Sequence, residues 1–162
     1  MIYADEGVVV GEVGDIAITL WREAVTRPRF KYQAEGLAAV VDRAPGACAF
    51  ICIVEAACRP PEEDMRRASV EMLNQHAMRL PMVASVIEGD GFRAAVTRSV
   101  LAGMAMIAGS RYLKIAPFGS IPAATAWLAN SGRFGPLTSL TASVERLRSQ
   151  MPVANARRAV RS

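Results

Sequence analysis

Met82 to Ala108 reads MVASVIEGDGFRAAVTRSVLAGMAMIA: a six-residue apolar run breaks at Glu88-Gly89-Asp90-Gly91, and a charge-poor helical pattern starts almost at once. A strand that feeds a helix through so short a turn belongs to a parallel sheet with helices packed on it, because parallel strands need a crossover that returns to the same end. The turn then lies at the carboxyl edge of the sheet, where such folds place their working surfaces. Phe92, Val96, Val100, Met104 and Ile107 give the helix its apolar stripe. From Ser99 to Ser110 it carries no charge, and Leu101 and Met106 fall on its other faces, so a second covered side is expected, against a partner or a second copy.

On either side of this segment the same alternation recurs. Val8–Val10 and Ile16 to Trp21 are β-rich runs joined through Gly14-Asp15, a hairpin signal. Thr26 can cap a helix with Pro28 in its first turn, and Phe30, Ala34, Leu37 and Val41 line it until Pro45-Gly46. Ala47 to Val54 is a continuous apolar run that reads as a central strand, with Cys48 and Cys52 on one face as small hydrophobes. Pro60-Pro61-Glu62-Glu63-Asp64 opens the next helix, with acids where the helix dipole favours them; Met65, Met72, Leu73, His76 and Leu80 are its apolar side. Leu113 to Phe118 is a last strand, and Ser120 with Pro122 starts an Ala-rich helix that stops at Asn130-Ser131-Gly132. The order implies an α/β fold, an N-terminal hairpin followed by alternating helices and strands in a mixed, mostly parallel sheet, with right-handed crossovers placing alternate helices on it. One domain over 1–130 is expected, then a linker and amphipathic helix over 131–151, where Leu137, Leu140, Val144, Leu147 and Met151 form a narrow seam, and a disordered basic tail over 152–162.

Composition excludes more than it assigns. At 52% hydrophobic the chain is too apolar for a disordered protein, and no apolar run approaches the roughly 20 residues of a membrane span. The acidic start, MIYADEG, lacks a secretory n-region, and free thiols fit a reducing compartment, so a cytoplasmic location is expected. Charge is lopsided, net −5 through Asp90 and net +9 from Gly91 onward. Nucleic acid still ranks low as a partner, since aromatics are only 6% and no recognition motif is present.

The hairpin with GDIAITLW, the strand ICIVE, VASVIEG leading into FRAAVTRSVLAGM, and the closing FGSIPAATAWLA together resemble the STAS-like domains, the anti-sigma-factor antagonists and their bacterial relatives, over residues 8 to 130. The resemblance implies a non-enzymatic module that docks onto a regulatory partner or itself, with no cofactor. The family's phosphorylatable serine at the start of the helix after the first central strand has no counterpart: that junction reads Glu55-Ala-Ala-Cys-Arg-Pro-Pro-Glu-Glu-Asp64, and Ser69 falls inside the helix.

Candidate sites are few. Glu55 and Glu88 each end a central strand and should meet at one edge; they are read as an ion-pair site, with Glu88 facing Arg93 or Arg98, before any acid–base role. The turn Gly89-Asp90-Gly91 with Arg93, Thr97 and Arg98 is the leading interaction surface, joined by Leu140, Val144 and Leu147 of the last helix. His76 is the only histidine, which leaves no base for a nucleophile, and Cys48 and Cys52 lie about 13 Å apart along a strand, too far to share a metal. The alternative to docking is a carrier of a small apolar ligand, which requires a cavity between helices and sheet.

Overall fold

The computed structural model describes residues 1–107 and 112–153, apart from the side chains of residues 92, 93, 97, 101 and 104–107. The described strands form one sheet in chain order: β1 (Tyr3–Ala4), β2 (Val8–Val13), β3 (Ile16–Trp21), β4 (Ala49–Val54), β5 (Met82–Ile87) and β6 (Lys114–Phe118). β1, β2 and β3 pair antiparallel, and β3 through β6 pair parallel, as the sequence predicts of an N-terminal hairpin on a mostly parallel sheet. Gly14-Asp15 makes the two-residue hairpin loop, with Gly14 at φ 56°.

The helices are α1 (Arg27–Arg43), α2 (Glu63–His76), α3 (Phe92–Ile107), α4 (Ile121–Ala129) and α5 (Leu140–Ser149). They do not alternate across the sheet. The parallel strands advance in one direction without a reversal, so crossovers of one hand leave α1, α2 and α3 on the same face. Leu37, Val40 and Val41 of α1 and Met72 and Leu73 of α2 bury against Ala17, Phe50 and Val83 there, and α3 lies beside α2 along β5 and β6.

The opposite face belongs to α4 and α5. Ile121, Ala124 and Leu128 of α4, and Leu140, Val144 and Leu147 of α5 with Met151 just beyond it, pack on Val9, Ile18, Leu20, Ile51, Ala84 and Val86. The boundary expected near residue 130 is therefore not a boundary of the core, and the seam of α5 is not a free docking stripe. Burying four such side chains contributes roughly 6 to 12 kcal/mol, comparable to the whole net stability of a small domain. Close approach is arranged by Gly11 of β2: a Cβ there would sit 2.6 Å from Leu147.

Of the two N-caps expected, one makes its side-chain bond and the other does not. Thr26 is the N-cap of α1 but its side chain makes no capping bond, whereas the Ser120 hydroxyl accepts the Ala123 N–H at 3.4 Å. Buried Gln33 of α1 accepts the Trp21 indole N–H at 2.9 Å, which satisfies the one polar atom of the largest core side chain. Ala108 and most of the basic tail lie outside the described residues, as do the side chains of Leu101, Met104, Met106 and Ile107.

Candidate functional site

Three parallel strands deliver three charged residues to one edge. β3 ends at Trp21 and is followed by Arg22, β4 ends at Val54 and is followed by Glu55, and β5 ends at Ile87 and is followed by Glu88. The ladder extends one step past the strands, since the Glu55 N–H donates to Trp21 O and the Glu88 N–H to Val54 O, both at 2.9 Å. That step holds the two carboxylates side by side, as the matched strand endings predict.

Their partner is Arg148, on the last turn of α5. Its Nη1 donates to Glu55 Oε1 at 2.7 Å and to Glu88 Oε2 at 3.0 Å, and its Nη2 donates to Glu88 Oε1 at 2.6 Å. Arg22 Nε adds a second bond to Glu55 at 3.1 Å. Arg148 Nε lies 3.1 Å from Glu145 Oε2, but its N–H is not aimed at that oxygen and is left without a hydrogen bond. Burial alone would depress the Arg148 guanidinium, yet the bidentate bond to Glu88 and the charges of Glu88, Glu145 and Glu55 outweigh it and hold the side chain cationic. Glu88 thus pairs with a residue 60 positions away, and the pairing expected with Arg98 is not formed. Arg98 makes no ion pair among the described residues, and the side chains of Arg93 and Thr97 lie outside them.

Chemically the cluster is occupied. A general acid needs a carboxyl that can hold a proton near neutral pH, and a general base needs a free lone pair facing a substrate. Glu55 bonds Arg148 and Arg22, and Glu88 bonds Arg148 with both oxygens, so their lone pairs are engaged by guanidinium groups of the chain itself. The arrangement clamps α5 to the sheet.

Beside the clamp, Gly89, Asp90 and Gly91 form an exposed turn into α3. Gly89 and Gly91 have φ of 91° and 90°, and a Cβ on Gly89 would stand 2.6 Å from Ala56, so both positions demand glycine for backbone reasons. The same edge carries a second network: Asp5 accepts N–H bonds from Gly7 at 2.7 Å and Val8 at 2.8 Å and pairs with Arg29, which also reaches Glu23.

Between the sheet and α1 and α2 lies a cavity of about 70 Å³, bounded by Trp21, Cys52, Cys58, Met72 and Ser85. Water takes about 30 Å³ and small-molecule pockets roughly 300 to 1,000 Å³, so this is room for a water or two and not for a lipid chain. Burial pushes the Cys52 thiol up to about 12 and the Cys58 thiol up to about 11, so both stay protonated and unreactive at neutral pH. No cluster of metal-ligating side chains occurs among the described residues, and no described helix is long and apolar enough to cross a membrane.

Fold and site together define an α/β domain on a mixed, mostly parallel sheet, its carboxyl edge closed by an internal arginine. No family model, curated protein or solved structure matches the chain.

Proposed function

We propose that the chain is a non-enzymatic, cytoplasmic docking module that holds a regulatory protein partner or a second copy of itself on the α2–α3 side of the sheet. The observation that carries this reading is the exposed side of α3. Ala95, Ser99 and Ala102 follow at spacings of a helix face and are open to solvent, and the helix has no charged residue beyond Arg98. Beside it runs a groove of about 450 Å³, floored by Val70, Val100 and Gly103 and edged by Glu63, Arg66 and Arg67 of α2. A helix this poor in charge with a small-residue face is suited to close contact with another protein surface. The turn Gly89-Asp90-Gly91 and Arg98 extend the same surface at its carboxyl end. The resemblance to STAS-like domains supports docking as the mode of action, and the occupied carboxylates of Glu55 and Glu88 remove the most obvious route to catalysis. α5 takes no part in the contact, because its seam is spent on the core.

Ala102→Glu tests the reading, since Ala102 is exposed and glutamate is a good helix former, so folding is kept. Light scattering over a wide concentration range and affinity capture from cell extract are compared for the two proteins. A dimer or a stoichiometric complex that Ala102→Glu abolishes is expected. Monomers at every concentration, together with identical capture by both proteins, would overturn the proposal.

A further inference from the structure

At the opposite end of the strands from the arginine clamp, a concave site of about 580 Å³ opens beneath the end of α4. It exists because α4 runs back along the sheet from the carboxyl end of β6, so its last turn and the following Asn130-Ser131-Gly132-Arg133 come down beside the start of β6. Lys114 is the first residue of β6 and sits across from Met82 in the ladder. Ile115 packs on the α1–α2 face, so strand alternation turns Lys114 toward the face covered by α4. Trp127, on the last turn of α4, leans on Phe118 with ring centroids 5.4 Å apart and contributes to the same wall.

The lining combines three kinds of group. Lys114 and Arg133 bring two positive charges, Trp127 and Tyr112 bring aromatic rings, and Met82 and Pro81 bring an apolar floor. It holds no acidic residue, and neither cation forms an ion pair among the described residues. Elsewhere Arg22, Arg27, Arg29, Lys31, Arg43, Arg67 and Arg148 meet a carboxylate, whereas Arg59, Arg66, Arg79, Arg98 and Arg146, like these two, form no ion pair among the described residues. A structural explanation exists, since the carboxyl end of a helix attracts cations. That end amounts to about half a negative charge, and its last carbonyls already accept the N–H groups of Asn130, Ser131 and Gly132 and the Ser131 hydroxyl. Two full positive charges remain in excess of it.

We infer that this pocket binds a small organic anion with a flat apolar body, of the aromatic carboxylate or sulfonate class. The volume lies within the range of small-molecule sites. Arg133 offers a planar fork to the anionic head, Lys114 a point charge, and the ring of Trp127 a face for stacking. An inorganic anion would leave the aromatic and methionine wall unused, and a neutral aromatic would leave both cations unpaired. The pocket lies at the other end of the sheet from the Gly89–Gly91 turn, so it stands apart from the docking surface proposed above.

The test uses 1-anilinonaphthalene-8-sulfonate as the anionic probe and N-phenyl-1-naphthylamine as its neutral counterpart, titrated by fluorescence into the full chain. Lys114→Gln with Arg133→Gln removes both pocket cations. Arg59→Gln with Arg146→Gln removes two exposed charges elsewhere and controls for net charge. One sulfonate per chain is expected, with the pocket variant binding it about tenfold or more weakly and the control variant unchanged within about twofold. The neutral probe should bind poorly and respond to neither variant. Equal loss in both variants, an undiminished sulfonate affinity in the pocket variant, or equal affinity for the two probes would overturn the inference.

Discussion

The two ends of the parallel strands carry different charge clusters. At the carboxyl end, Glu55 and Glu88 share Arg148, Arg22 adds to Glu55, and Asp5 and Glu23 share Arg29. At the amino end, Lys114 and Arg133 stand around an open pocket with no acid among the described residues of its lining. Parallel α/β sheets ordinarily offer ligands the carboxyl end, where crossover loops gather and helix N-termini point. In this chain that end is filled by Arg148 of α5, while the open pocket around Lys114 and Arg133 lies at the other end of the same sheet.

The largest effect that can break this contrast is removal of the clamp. Arg148→Ala strips Glu88 of its partner and leaves Glu55 with Arg22 alone, the two carboxylates adjacent and each about a quarter exposed or less. Removing one partner of a mostly buried pair costs about 3 kcal/mol or more, because the cost is the stranded charge as well as the lost bonds. Urea unfolding should show a loss of that size, and Glu88→Gln in the same chain should restore part of it, since it removes the repulsion. A loss below about 1 kcal/mol would class the cluster with ordinary surface pairs and erase the difference between the two ends.

Much of this architecture was legible in the residues, and the limits follow from range. Met82–Ile87 and the turn after it were readable because an apolar strand, two glycines and a helical period are all local signals. The adjacency of Glu55 and Glu88 followed from two strands with matching ends, which needs only the parallel pairing. Arg148 was not readable as their partner: it lies 93 residues from one and 60 from the other, and local pattern carries no information about which helix returns to which edge. For α5 the spacing showed that it has an apolar side but not what covers it, hence the expectation of a free seam on Leu140, Val144 and Leu147 where the structure has core. β1 is two residues long, too short to show any period. The shared face of α1, α2 and α3 depends on strand order, which the sequence does not display. The pocket around Lys114 and Arg133 joins β6 to the end of α4, and the only sequence hint was the basic excess of the second half.

A smaller effect concerns acid at the carboxyl end. Burial pushes the Asp5 carboxyl up, but the Arg29 guanidinium and the N–H groups of Gly7 and Val8 bond the ionised form and bring it below its ordinary 3.8. Because the folded value lies below the unfolded one, the stabilisation is complete above the unfolded value and is lost as pH falls through the folded value. The urea midpoint of the wild-type chain should therefore drop as pH falls from about 5 toward 2. Asp5→Asn should start lower at neutral pH and show a shallower decline over that window. An equal slope in the two proteins would remove Asp5 from the acid response and leave the cohesion of this end to the Arg148 cluster.

The smallest expected effect is at the amino end. Lys114 and Arg133 are exposed and make no ion pair among the described residues, so Lys114→Gln with Arg133→Gln takes away no stabilising contact. Substitutions at such positions usually change stability by less than about 0.5 kcal/mol. If the two charges repel each other across the empty pocket, or one of them offsets the carboxyl end of α4, these contributions have opposite signs and each is a few tenths of a kcal/mol at an exposed site. The urea midpoint of the double variant should accordingly match that of the wild type while its affinity for an aromatic sulfonate falls. Loss of more than about 1 kcal/mol would mean that the pair holds the end of α4 in place, as Arg148 holds α5 at the other end, and the two ends would then differ in degree and not in kind.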